Sequence, residues 1–174
     1  LREVVFDSEW TGFTPEDNYI TEICCLELVD RHLTGKRFHT YLQPPIKLSD
    51  FAIEVTGLND EFLADKPKFS DIASELLAFV RRDRIVTMEA SLELSFLNAE
   101  LERSQRPDPL RNEFFDLVRF HRERFPGSPA TLVEQSKRYN LTLPDHLASG
   151  PGHCQAGAWL IANVYLETCK EFDL

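Results

Sequence analysis

The sequence predicts an α/β domain built around a mixed sheet. Three observations carry that prediction. Near the start, three β-branched and aromatic runs follow one another with short connections, which is the pattern of an antiparallel meander. After residue 67, short apolar runs alternate with segments of helical periodicity, as strands joined by crossover helices do. The 174 residues contain no internal repeat, low-complexity tract or linker, so 1–174 reads as a single domain with room for a sizeable core.

Val4–Phe6 is the first strand, and it runs into Asp7-Ser8-Glu9-Trp10-Thr11-Gly12. Alternation along a strand puts Asp7 and Glu9 on one face, where both can reach a single cation. A hard cation such as Mg²⁺ takes oxygen ligands and commonly only one or two protein carboxylates. For an isolated Asp-x-Glu, two polar residues in a solvated turn is the commoner reading. A turn-rich segment reaches Asn18, and Ile20–Val29 is the second strand, with Cys24 and Cys25 expected on opposite faces. Asp30–Gly35 carries turn residues, and Phe38–Leu42 is the third strand, ended by Pro44-Pro45. Leu48–Pro67 reads as loop and short helix. Phe69–Arg82 is an amphipathic helix with Ile72, Leu76, Leu77, Phe79 and Val80 as its buried stripe.

Ile85–Thr87 is a short apolar strand. Ser91–Arg103 returns to helical periodicity through Leu94, Leu97 and Leu101, with Pro107 and Pro109 beyond it. Glu113–Phe115 is the last strand. Leu117–Phe125 is a helix stopped by Pro126-Gly127, Ala130–Tyr139 is another, and Asn140–Gly152 is a Pro-, Gly- and Ser-rich loop. Gln155–Phe172 is the terminal helix, apolar at Leu160, Ile161, Val164 and Tyr165.

The net charge of −10 argues against a general nucleic-acid coat protein, which needs a basic footprint. It leaves open an enzyme that holds nucleic acid through metals and a local groove. Arg81, Arg82 and Arg84, and Arg119, Arg122 and Arg124, read as solvated helix faces and ends. No apolar run is long enough to span a bilayer, and no basic-then-apolar pattern opens the chain, so no membrane association is expected. The four cysteines lack disulfide-scaffold and metal-ligand spacing; they read as reduced, buried thiols in a cytoplasmic protein.

Collinear stretches then carry a resemblance: Val4-Val5-Phe6-Asp7-Ser8-Glu9-Trp10-Thr11-Gly12, Arg31 to Gly35, Phe38 to Leu42, Val55 to Pro67, Phe125-Pro126-Gly127, Leu132 to Tyr139, and Ala162 to Leu166. The chain resembles the DnaQ-like (DEDDh) 3′-to-5′ exonucleases, most of all the proofreading epsilon subunits of bacterial DNA polymerase III. The resemblance implies a ribonuclease-H-like fold, a central five-stranded mixed sheet flanked by helices. It also implies that the strands near Ile85–Thr87 and Glu113–Phe115 lie parallel to Val4–Phe6, which sits inside the sheet. Such enzymes hold two divalent metals, Mg²⁺ or Mn²⁺, with four acids, and a histidine takes the proton of the attacking water.

Carried over by motif, Asp7 and Glu9 are metal ligands, and Trp10 and Thr11 lie at the bound nucleotide. Trp10 stands where the family has a small Thr, so it would block the pocket, offer a stacking platform, or simply pack. In the second motif, Glu93 replaces an Asp, one methylene longer, and is either a third ligand or an acid favoured by the helix dipole. In the third, the His and Asp positions fall on Gly152 and Gly157, and His153 stands one place off as a candidate displaced base. No Asp or Glu occurs between Asp145 and Glu167, so the fourth carboxylate cannot come from this helix start.

The expectation is a protein of this family with an eroded catalytic centre. One cation would sit at Asp7 and Glu9 and the second site would be incomplete. The protein would act by binding a single-stranded nucleic-acid 3′ end or a polymerase-type protein partner. The alternatives are a working exonuclease that recruits another ligand, such as Glu89, and a purely structural subunit of a polymerase assembly that uses the surface beside Trp159. Returning Gly152→His, Glu93→Asp and Gly157→Asp together is expected to recover digestion.

Overall fold

In the computed structural model, which describes residues 1–106 and 109–174, the chain begins in the middle of its sheet. β1 (Arg2–Trp10) pairs antiparallel with β2 (Ile20–Val29) and parallel with β4 (Arg84–Thr87). With β3 (His32–Tyr41) antiparallel to β2, and β5 (Phe114–Asp116) parallel to β4, the order is β3-β2-β1-β4-β5. This is the expected mixed five-stranded sheet with β1 inside it.

The helices are α1 (Asp50–Thr56), α2 (Asp60–Leu63), α3 (Phe69–Val80), α4 (Ala90–Arg103), α5 (Leu117–Arg124), α6 (Leu132–Arg138) and α7 (Cys154–Phe172), with a 3₁₀ turn at Asp145–Leu147. Ser49 caps α1 by accepting from Ala52 N, and Gly57, with φ 69°, closes it in the left-handed conformation. The break expected after α4 falls partly on Pro107, outside the described residues.

Strand alternation sorts the core into two layers. Val4 and Phe6 face α3 and α4, where Ile72, Leu76, Val80, Phe96, Leu97 and Leu101 are buried. Val5 faces α7, with Ala158, Ile161, Ala162 and Tyr165. Cys25 joins the first layer and Cys24 the second, as neighbours in a strand must.

Two boundaries differ from the sequence reading. β1 does not stop at Phe6, because each residue to Trp10 finds a partner on β2, including Asp7 opposite Cys24 and Glu9 opposite Glu22. The hairpin turns at Asp30-Arg31 and not over Asp30–Gly35: both residues take positive φ, 48° and 64°. That two-residue geometry matches the twist of the flanking strands, although it usually selects Asn or Gly. Arg31 is held there by tertiary contacts, its guanidinium 5.0 Å from the Tyr165 ring and 3.7 Å from the Glu3 carboxylate.

Candidate active site

At the C-terminal end of β1 the alternation that sorts the core also sorts the acids. Asp7 and Glu9 share the parity of Val5 and face the α7 layer. Ser8 and Trp10 face α4. Burial, then the carboxylates of Glu93, Glu9 and Glu22, push Asp7 well above the usual carboxylate range. Burial and Glu22 raise Glu9 to about 7.

Glu93 is buried in the first turn of α4 and accepts a hydrogen bond from the Ser8 hydroxyl. Burial raises it to about 8. Its carboxylate is bonded to Ser8, between the two first-motif acids, and is the carboxylate that most strongly raises Asp7.

A residue that sequence reasoning missed completes the cluster. Glu22 stands opposite Glu9 on β2 and is buried. One oxygen lies 2.8 Å from His39 Nε2; the other accepts the backbone N–H groups of His153 at 3.0 Å and Cys154 at 3.3 Å. It is the carboxylate that ties the start of α7 to the sheet. The signal was available, since a glutamate inside the apolar run Ile20–Val29 has to find buried partners.

Gly152 and Gly157 lie directly against these acids. A Cβ on Gly157 would stand 2.0 Å from Asp7 Oδ2, and one on Gly152, at φ 75°, 2.0 Å from Glu22 Oε2. Restoring His and Asp at these positions therefore requires the Glu22 and Asp7 carboxylates, or the helix, to shift.

The remaining sequence candidates are placed as follows. The Trp10 indole stacks on Phe96, with ring centroids 4.7 Å apart and planes 3° from parallel, and Nε1–H donates to Ser8 Oγ at 2.7 Å. It is a packing residue on the α4 side. Thr11 is buried; its hydroxyl donates to Asn18 and accepts from Tyr19 N, which holds the 12–18 loop. His153 is exposed and contributes its backbone N–H to Glu22. Glu89, exposed at the N-cap of α4, lines a groove with Ser91, Ser95, Asp116 and Arg119, apart from Asp7 and Glu9. On the surface, Phe13 in the 12–18 loop (65% exposed) and Phe51 in α1 (56% exposed) place their ring centroids 6.0 Å apart.

The RNase_T exonuclease family matches residues 4–149. The DNA polymerase III subunit epsilon of Rickettsia conorii is 35% identical over 172 residues, covering 96% of this chain and 73% of that protein. The chain belongs to the DnaQ-like exonuclease family.

Solved structures carry the same fold: the nuclease domain of 3′hExo, a DEDDh family member bound to rAMP, superposes at a TM-score of 0.78 with 19% identity, over 98% of this chain and 92% of that one. Product-bound exonuclease I superposes at 0.81 with 14% identity, over 97% of this chain and 43% of that one. The RNase_T match ends at residue 149, while the alignment with the Rickettsia conorii subunit covers 96% of the chain and so extends into α7.

DnaQ-like exonucleases generally depend on divalent metals. Among the described residues, no three His, Cys, Asp or Glu side chains are disposed to close on one ion. Asp7 and Glu9 share a face, Glu93 is bonded to Ser8, Glu22 is occupied by α7 and His39, and α7 presents Gly157. This donor set does not fit a two-metal cage.

Proposed function

We propose that this DnaQ-like chain binds the 3′ end of a single-stranded nucleic acid and hydrolyses it slowly or not at all. The observation that carries the reading is the start of α7: glycine at both third-motif positions, with Asp7 and Glu22 against them. Any single cation would be held by Asp7 and Glu9, which suffices for weak Mg²⁺ or Mn²⁺ binding but not for activating a water and stabilising a leaving oxygen together. Loss of charge stabilisation commonly costs on the order of 10² to 10³ in rate, and loss of a general base on the order of 10² or more. The two need not add.

Binding would rest on Phe13 and Phe51, whose exposed rings offer base-stacking faces that work without a basic footprint. The four buried thiols and the family's replication proteins fit a cytoplasmic setting. No helix among the described residues is long and apolar enough to cross a membrane. A second reading, a polymerase-bound subunit, is favoured by the relatives' name as polymerase III subunits.

The test is digestion of 3′-labelled single-stranded DNA with Mg²⁺ and with Mn²⁺ beside an intact relative, together with fluorescence anisotropy on the same oligonucleotide. Binding with turnover lower by about 10² or more is expected. Turnover equal to the relative's would overturn the impaired reading. Absence of both binding and turnover would favour the polymerase-bound subunit.

A further inference from the structure

The centre is changed by more than the loss of two side chains. We infer that the first turn of α7 is docked onto the catalytic face of the sheet, with Glu22 as its anchor, so that the helix occupies the space a second cation would need. The inference takes Gly152 and Gly157 as the third-motif positions.

Three observations carry it independently of any titration. Gly157 lies so close to Asp7 that a Cβ would stand 2.0 Å from Oδ2 and 2.9 Å from Cγ. No contact that short survives, so Asp7 or the helix must move. Glu22 reaches the helix from β2 and accepts both of its leading N–H groups, while His39 holds the carboxylate from the other side. The loop before the helix is pinned as well: Tyr41 O–H donates to Pro151 O at 2.7 Å. β2 and β3 thus both hold the same turn. With the carboxylate of Asp7 against the Gly157 backbone, one of the two acids of the first motif is covered from the α7 side.

The docking predicts an inverted mutational sign. Gly157 has ordinary helical backbone, where replacing glycine by alanine normally raises stability. Here Gly157→Ala should lower the urea midpoint, because the methyl group displaces Asp7 or lifts α7. In an Asp7→Ala background the obstruction is gone, and the same Gly157→Ala change should raise the midpoint.

The four proteins of this cycle (wild type, the two single variants and the double) test it by urea denaturation without added metal. Hydrogen exchange should also show faster labelling of residues 152–156 in Glu22→Ala, which leaves the His153 and Cys154 N–H groups without their acceptor. Mn²⁺ titration of Gly157→Asp should reveal no additional site.

A higher midpoint for Gly157→Ala in the wild-type background would overturn the docking. So would unchanged exchange in Glu22→Ala, or a second Mn²⁺ bound by Gly157→Asp with an unchanged midpoint. The result separates from the functional reading. A wild type that digests DNA rapidly yet shows the inverted sign keeps the docking and loses the impaired reading. A wild type that is inactive with the ordinary sign does the reverse.

Discussion

Single residues decide how this centre responds to pH and to substitution. Glu93 is buried against Ser8 with its proton affinity raised to about 8, and Glu9 is raised to about 7, both from an ordinary value of 4.5. Folded values above unfolded ones mean that, between pH 4.5 and about 8, the native state binds more protons than the unfolded chain. The stability present at low pH is therefore lost as pH rises through this window. Glu93→Gln is expected to flatten the loss, with a urea midpoint above wild type at pH 8 and closer to it at pH 5; parallel pH profiles for the two proteins would refute this. Trp10 is the second residue-scale case. Stacked on Phe96 and bonded to Ser8, it belongs to the α4 packing layer, and Trp10→Ala should cost about 3 kcal/mol in chemical denaturation. A loss below about 1 kcal/mol would return Trp10 to the list of substrate contacts.

At the scale of elements, α7 is fastened to the sheet at two places, to β2 at its start and to β1 along its far half. Its start is tied through Glu22. Its far half is tied through Tyr165, whose O–H donates to the buried Glu3 carboxylate at 2.6 Å, with Arg84 3.4 Å from the same oxygen and Arg31 3.7 Å from the other. Tyr165→Phe keeps the ring and removes only the donor, so it isolates that bond. It should cost about 1–3 kcal/mol, because Glu3 stays buried. Thermal unfolding of the variant checks this, and an unchanged midpoint would mean that Arg31 and Arg84 satisfy Glu3 without the phenol. The same contacts explain the hairpin. Arg31 adopts a left-handed conformation because its side chain has Glu3 and Tyr165 to reach, information absent from residues 30–35 themselves.

For the whole molecule, the charge of −10 sets what kind of nucleic-acid contact is possible. Few phosphates can be neutralised, so affinity for a single strand should depend weakly on salt. With a slope of about −0.7 per phosphate, one or two contacts give a total slope between about −0.7 and −1.4. Stacking carries the remainder: replacing Phe13 and Phe51 together by alanine should weaken binding by about 1–3 kcal/mol per stacked base lost. Anisotropy titrations over a range of salt concentrations measure both quantities. A steep slope, or indifference to the aromatic pair, would move the interface elsewhere on the surface.

Local pattern was enough to determine the sheet, the helices, the split of Cys24 and Cys25, and the absence of an acid from the start of α7, because periodicity and the presence of a carboxylate are properties of the chain itself. Asp7 and Glu9 could be placed on one face for the same reason. Tertiary structure alone decided where the other acids point. Glu93 meets the first motif through Ser8, because a buried carboxylate takes the donor within reach. Glu22 is remote in sequence from Gly152, and Asp7 from Gly157. Only the packing of α7 onto the sheet brings them within a methyl group's width, and at that distance glycine is the residue that fits.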